Sequence, residues 1–238
     1  MESNRNAVRD LVADPDHGAL PVLLLALTVV TGVVDAVSIL SLGRVFVANM
    51  TGNVVFVGFA LAGAPGFSLA ASLWALIGFL VGALAAGPLT ARIEDRRRLF
   101  AVATALEVAL LAAAFGLLAG PAGPHPHGRV ADGTAALLAV ALGLQNAVVR
   151  RLAVPDLTTT VLTMTLTGIA ADLRRGGWTT AVRRLLAVIA MFAGAVVGAV
   201  LVLHTDPRWA LLLALVLTAV VAVGAFAEAA AGVRKQRR

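Results

Sequence analysis

Long apolar stretches separated by short polar ones dominate the pattern along this chain of 238 residues. Eight apolar segments can be marked, at residues 19–42, 45–63, 68–90, 99–119, 133–149, 157–171, 180–203 and 209–231. A helix needs about 20 apolar residues to cross the hydrocarbon core of a bilayer. Most of the segments reach or approach this length, so the pattern predicts an all-α integral membrane protein.

Two of the segments are too polar for ordinary membrane-spanning helices. Segment 45–63 contains two amides and a hydroxyl around a glycine, and segment 157–171 is rich in threonine; the residues concerned are Asn49, Thr51, Asn53, Thr160, Thr163 and Thr167. Backbone that leaves a helix inside hydrocarbon must find hydrogen-bond partners, which Asn and Thr side chains can supply. We therefore predict about six transmembrane helices plus two broken or re-entrant segments.

The two halves of the chain carry similar motifs in the same order. The parallels join residues 32–37 with 143–148, residues 49–53 with 163–167, and Gly78-x-x-x-Gly82 with Gly194-x-x-x-Gly198. We read the glycines as helix-packing positions. The sequence thus predicts one transmembrane domain over 19–231, made of repeats 19–119 and 133–231, between a cytoplasmic N-terminal tail (1–18) and a basic cytoplasmic C-terminal tail (232–238). Three spans in each half would invert the second repeat, a plan that recurs in transporters.

Charge helps to choose between topologies. If all eight segments span, the 19 Lys and Arg residues divide almost equally between the two sides. If the two polar segments enter and leave on one side, only Arg44, Arg129 and Arg208 lie opposite the rest. The positive-inside rule favours this second topology, with both termini in the cytoplasm. A topology in which 45–63 spans and the N-terminus is outside gives a similar bias, so repeat symmetry is what favours a re-entrant 45–63.

Composition supports the membrane class and excludes others. Hydrophobic residues make up 60% of the chain and charged residues 13%, about half the share usual in soluble domains. The absence of cysteine removes disulfide and thiol chemistry. The net charge of +6 marks loops that face anionic lipid, and we expect no nucleic-acid binding.

Asp35 lies well inside the first apolar segment, where a carboxylate is costly and usually faces a cavity or a partner. Its counterpart in the repeat is Asn146, which follows Gln145. We expect these three residues to line a polar pathway or solute-binding site together with Asn49, Thr51, Asn53, Thr160, Thr163 and Thr167. The alternative is that all of them only fix helix packing, the threonines by bonding to carbonyls four residues earlier.

Glu107, in the middle of segment 99–119, is a candidate proton site without a counterpart in the repeat. An equal alternative is that it pairs with a polar residue of another helix. His125 and His127 have no cysteine or carboxylate set at ligand spacing, so we expect no metal site. No Ser-His-Asp or phosphate-loop pattern is present, and we expect neither a cofactor nor enzymatic activity.

These motifs resemble a known family. Residues 31–38 and 46–53, followed by 143–147 and 154–163, look like the YoaK-type bacterial membrane proteins, catalogued as domain of unknown function 1275. The resemblance runs from about Leu20 to the end of segment 209–231 and departs from the family at Met164, where a glycine is expected. It implies a small bacterial inner-membrane protein and brings no substrate with it.

Two functions are compatible with this sequence. The first is a transporter or channel for a small polar solute or ion, indicated by inverted repeats, interrupted polar segments and an embedded carboxylate. The second is a non-transporting interaction or sensor protein whose basic loops dock a cytoplasmic partner. We expect the lipid bilayer and a small polar solute or ion as partners, and the sequence leaves a homo-oligomer open.

Overall fold

The computed structural model describes residues 18–120, 128–154, 162–175 and 178–236. Eight α-helices form this part of the chain: α1 (Leu20–Ser41), α2 (Met50–Leu61), α3 (Leu69–Arg92), α4 (Arg96–Leu118), α5 (Arg129–Leu152), α6 (Leu162–Arg175), α7 (Trp178–His204) and α8 (Pro207–Gln236). All of them except α2 and α6 are long and apolar enough to cross a membrane. The prediction of an all-α membrane protein with six spans and two shorter segments is confirmed.

Local sequence signals explain where several helices start and stop. The Ser68 hydroxyl accepts the Ala71 N–H at 3.2 Å and so caps α3. Asp95 caps α4 by accepting the N–H groups of Arg97 and Arg98 at 2.8 and 3.0 Å. Both caps satisfy backbone donors that have no partner within their helix. They fix a short turn between α3 and α4, in which Arg96–Arg98 open the new helix.

Two clusters of buried apolar side chains divide the bundle along its length. One cluster includes Leu24 of α1 and Leu152 of α5, and we call its end of the bundle the basic end. The residues that justify this name are Arg92, Arg96, Arg97, Arg98, Arg150 and Arg151. The other cluster includes Val37 of α1 and Leu118 of α4 and lies at the opposite end, which we call the far end.

The two short helices lie at opposite ends of this bundle. Leu42, just after α1, and Ala71, early in α3, both belong to the far-end cluster, so the chain enters and leaves α2 at the far end. Val154, just after α5, and Ala187, in α7, both belong to the basic-end cluster, so α6 is entered and left at the basic end. Neither short helix connects the two ends, as expected for re-entrant segments.

Most helix packing joins one half of the chain to the other. The most extensive contacts are α3 with α5, α1 with α7, α4 with α8, α4 with α5 and α1 with α8. Within a half, α2 packs on α3 and α6 packs on α7. If α1 to α4 are exchanged for α5 to α8, this list of neighbours is unchanged.

Glycines set the distance between α1 and α7. A methyl group on Gly32 would collide with the Met191 carbonyl, and one on Gly194 would collide with the Val29 carbonyl. Each glycine therefore faces the residue three positions before the other. This reciprocal contact brings the two backbones together, as small residues do between membrane helices.

The same reciprocal contact joins α3 to α5. A methyl group on Gly82 would collide with the Val140 carbonyl, and one on Gly143 with the Phe79 carbonyl. Gly82 is thus the counterpart of Gly194. The alignment predicted from sequence, which set Gly82 against Gly198, is shifted by one helical turn.

Corresponding positions of the two halves are separated by nearly the same number of residues, 111 for Gly32 and Gly143 and 112 for Gly82 and Gly194. The shift that takes Gly32 to Gly143 also takes Asp35 to Asn146 and Glu107 to Thr218. Glu107 and Thr218 are both buried, which corrects the expectation that Glu107 has no counterpart. Both buried carboxylates of the first half, Asp35 and Glu107, thus correspond to neutral polar residues in the second.

Candidate functional site

Asp35 fastens the segment between α1 and α2 to the inside of the bundle. Its side chain is buried, and its Oδ1 accepts the Val47 N–H at 3.4 Å, with the Ala48 amide beside the same carboxylate. These two amides precede α2 and have no carbonyl of an earlier helical turn to bond. Asp35 therefore supplies acceptors to the irregular backbone that joins α1 to α2.

Asn53 fastens the same segment from the other side. The Phe46 N–H donates to Asn53 Oδ1 at 2.9 Å, and Asn53 Nδ2 donates to the Phe46 carbonyl at 2.5 Å. The Phe46 ring lies against Gly52, where any side chain would strike it. The motif Asn49–Asn53 thus holds the backbone before α2 in place. Asn53 forms the hydrogen bonds to Phe46, and Gly52 leaves room for the Phe46 ring.

The other predicted residues of the two short segments lie away from the interior. Asn49 is exposed at the start of α2 and makes no capping bond, and Thr51 is exposed one residue into the helix. Thr163 and Thr167 are exposed on α6, where the Thr167 hydroxyl bonds back to the Thr163 carbonyl at 2.9 Å. Thr160 lies outside the described residues, as do His125 and His127.

Thr165 is a buried residue that sequence reasoning missed. It is 5% exposed, whereas its neighbours Leu166 and Thr167 are exposed. Along α2 and α6 the pattern of exposure coincides when Asn53 is set against Thr165, by the same shift that relates Gly82 to Gly194. The predicted alignment, which set Asn53 against Thr167, is two residues out of register.

Asn146 and Gln145 differ in their surroundings although they are adjacent on α5. Asn146 is half-buried and donates from Nδ2 to the Leu142 carbonyl at 2.8 Å. Gln145 is 3% exposed, and neither its Oε1 nor its Nε2 has a hydrogen-bond partner. Buried amides almost always find partners, so Gln145 stands out as a group able to bind something polar.

Glu107 on α4 is the second such group. It is 1% exposed, and its Oε1 has no hydrogen-bond partner. The Thr104 hydroxyl, one turn earlier on α4, donates to the Phe100 and Ala101 carbonyls, and the Thr218 hydroxyl donates to the Ala214 carbonyl. These hydroxyls therefore bond to their own helices. The alternative expectation was that Glu107 pairs with a polar residue of another helix. Within the described residues, no side chain forms such a hydrogen bond with Glu107 Oε1.

Two cavities lie away from these residues. A groove of about 630 Å³ between α7 and α8 is lined almost wholly by apolar residues, among them Val197, Leu201 and Val216. A smaller cavity of about 320 Å³ adjoins Arg208 and Trp209 at the far end. Neither contains a predicted site residue, and among the described residues no cluster of His, Asp and Glu could hold a metal ion.

Comparison with known proteins identifies a family for this chain. The family described as "Protein of unknown function (DUF1275)" matches residues 23–224. The UPF0700 transmembrane protein YoaK of Bacillus subtilis (strain 168) is 33% identical over 153 residues, which cover 63% of this chain and 66% of YoaK, just under two thirds of that protein. No solved structure matches significantly. The chain is a multi-pass membrane protein of the DUF1275 family.

Proposed function

We propose that this protein moves a small polar solute or ion across a bacterial inner membrane, as a transporter or channel built from two inverted repeats. The observation that carries the proposal is the placement of α2 and α6, which are entered and left at opposite ends of the bundle. Short helices that enter from opposite sides are a recurrent way of building a solute site near the middle of a membrane.

The distribution of charge supports an orientation with the basic end in the cytoplasm. That end carries the arginines between α3 and α4 and those at the end of α5, while Arg44, Arg129 and Arg208 lie at the far end. By the positive-inside rule the arginine-rich loops stay cytoplasmic. Both termini then lie on the cytoplasmic side, because α1 begins and α8 finishes at the basic end.

The polar residues divide into those that would bind the solute or ion and those that hold the backbone in place. Glu107 and Gln145 are buried with polar atoms that lack partners, so we assign them to solute or ion binding. Asp35 and Asn53 hold the backbone before α2, so we assign them a positioning role. We also assign Asn146 to the pathway, because it is adjacent to Gln145 on α5.

Flux in proteoliposomes tests this function. We would measure stopped-flow volume changes with glycerol and urea, and dye-reported fluxes of potassium, sodium and protons. Movement of at least one probe is expected, with a strong loss in Gln145→Leu. The matched control is Thr90→Val, which removes an exposed hydroxyl bonded only to its own helix. Absence of flux for every probe, or full flux in Gln145→Leu, would count against the proposal.

A second function, a non-transporting interaction or sensor protein, is favoured by one observation. Asp35 and Asn53, the buried polar residues beside and within α2, form hydrogen bonds with the chain's own backbone. In that case the arginines of the basic end would dock a cytoplasmic protein. Affinity purification with Arg96, Arg97 and Arg98 changed to glutamine tests it, since undiminished recovery of partners would argue against arginine docking.

A further inference from the structure

Three buried polar atoms lack hydrogen-bond partners on two helices that pack together. They are Oε1 of Glu107 on α4, and Oε1 and Nε2 of Gln145 on α5. Leaving a buried polar atom unpaired destabilises the folded protein. Three such atoms on adjacent helices indicate a built site, because packing alone would be served better by apolar side chains.

Both residues lie inside the bundle, where the two clusters of buried apolar side chains meet. Glu107 falls between Ala103 of the basic-end cluster and Leu111 of the far-end cluster. Gln145 follows Leu142 of the far-end cluster and Leu144 of the basic-end cluster. The two residues thus lie at the level where the two clusters meet.

No charged group faces Glu107 from the helices packed against α4. On α3 and α5 the titratable residues lie in the end turns; they are Arg92, Arg129, Asp132, Arg150 and Arg151. Among the described side chains of α8, Arg208 lies in the first turn, and Glu228 lies at the basic end, where its carboxylate and the Arg97 guanidinium both lie beside Gly18. Asp35 is on α1, which is not among the principal neighbours of α4, and it is engaged by the Val47 amide. A counter-charge for Glu107 therefore has to come from outside the described chain.

We propose that Glu107 carries an exchangeable proton at the centre of the bundle and passes it to and from water held by Gln145. An ionised carboxylate without a partner is too costly in a low-dielectric interior, and a bound proton removes the charge. The amide of Gln145 offers a donor and an acceptor, which is what a bridging water requires. The proton arrives from water and returns to water, so no other reactant is needed.

This inference deepens the proposed transport function by naming the proton as its coupling ion, and to that extent it rests on that function. The protonation of Glu107 itself can be measured without any flux. Failure of one is therefore distinguishable from failure of the other.

Infrared spectroscopy of the protein reconstituted in lipid tests the proposal. We would record the carbonyl stretching band of protonated carboxyl groups while the buffer pH is raised and lowered. The wild type should show a band that disappears reversibly at high pH. The band should be missing in Glu107→Gln and present in Asp35→Asn, with thermal unfolding used to verify that both variants are folded.

Each result decides the matter. A reversible band that depends on Glu107 supports the proposal even if no solute moves. A band unaffected by Glu107→Gln, the absence of any such band, or a Glu107 band that persists at every pH would overturn it. Gln145→Leu provides the second variant: slower loss of the band after a pH jump supports the water path, and unchanged kinetics contradict it.

Discussion

Asn53 pairs with the backbone of Phe46 as a neighbouring β-strand would, donating to its carbonyl and accepting its N–H. One side chain thereby satisfies both polar groups of a residue that belongs to no helix. In the hydrocarbon core of a membrane, water cannot supply these hydrogen bonds, so the protein has to supply them. The irregular segment before α2 therefore depends on a residue seven positions after Phe46.

Replacing Asn53 with leucine should destabilise the protein by about 2 kcal/mol or more, because both Phe46 backbone groups lose their partners. Thermal unfolding in detergent measures this as a lower midpoint. Asn49→Leu is the matched control, since Asn49 is exposed and makes no capping bond. Equal effects of the two substitutions would contradict the role assigned to Asn53.

Asp35 should tolerate asparagine and reject leucine. Asparagine keeps an oxygen that can accept the Val47 N–H, whereas leucine leaves that buried donor unpaired at a cost of about 1–3 kcal/mol. We expect the unfolding midpoint of Asp35→Asn to stay close to that of the wild type and that of Asp35→Leu to fall. A large loss with asparagine would show that the charge itself matters.

Gly82→Ala should be harmful, because the added methyl group meets the Val140 carbonyl, and overpacking typically costs about 1–3 kcal/mol. Gly87→Ala in the same helix is the control, since a methyl group added there would have no neighbouring atom within 4 Å. Yield of monodisperse protein and the unfolding midpoint report the difference. Gly194→Ala should behave like Gly82→Ala.

Cysteine mapping should place both ends of α2 on one side of the membrane. The chain has no cysteine of its own, so Ser41→Cys, Ala62→Cys and Arg151→Cys can each be labelled singly. With an impermeant maleimide on intact cells, Ser41→Cys and Ala62→Cys should react and Arg151→Cys should react only after permeabilisation. Labelling of Ser41→Cys and Ala62→Cys from opposite sides would mean that α2 crosses the membrane.

The spans were predictable because each depends on local composition. Runs of about 20 apolar residues are visible in sequence, and the arginine clusters indicate which ends lie together. The two shorter helices were also predictable, since Asn49, Thr51 and Asn53 interrupt one apolar run and the threonines interrupt the other. These signals need no knowledge of which helices meet.

The roles of individual polar residues were less predictable, because they depend on what each side chain faces. Sequence treats Asn49 and Asn53 alike, yet one is exposed and the other is engaged by Phe46. The engaged atoms belong to the backbone, which leaves no mark in the sequence. The alignment of the two halves predicted from sequence was wrong for a related reason. Several glycines fit the repeat, and only contacts between helices identify Gly82 and Gly194 as counterparts.

The reciprocal glycine contacts have a consequence for how the protein is made. α1 and α3 emerge from the ribosome first, yet their most extensive partners, α7 and α5, are synthesised only later. Until then the small-residue faces around Gly32 and Gly82 must be covered by lipid or by the insertion machinery. We therefore expect the helices of the first half to be loosely associated in the membrane until the second half has been translated. Assembly is then completed by packing between the two halves.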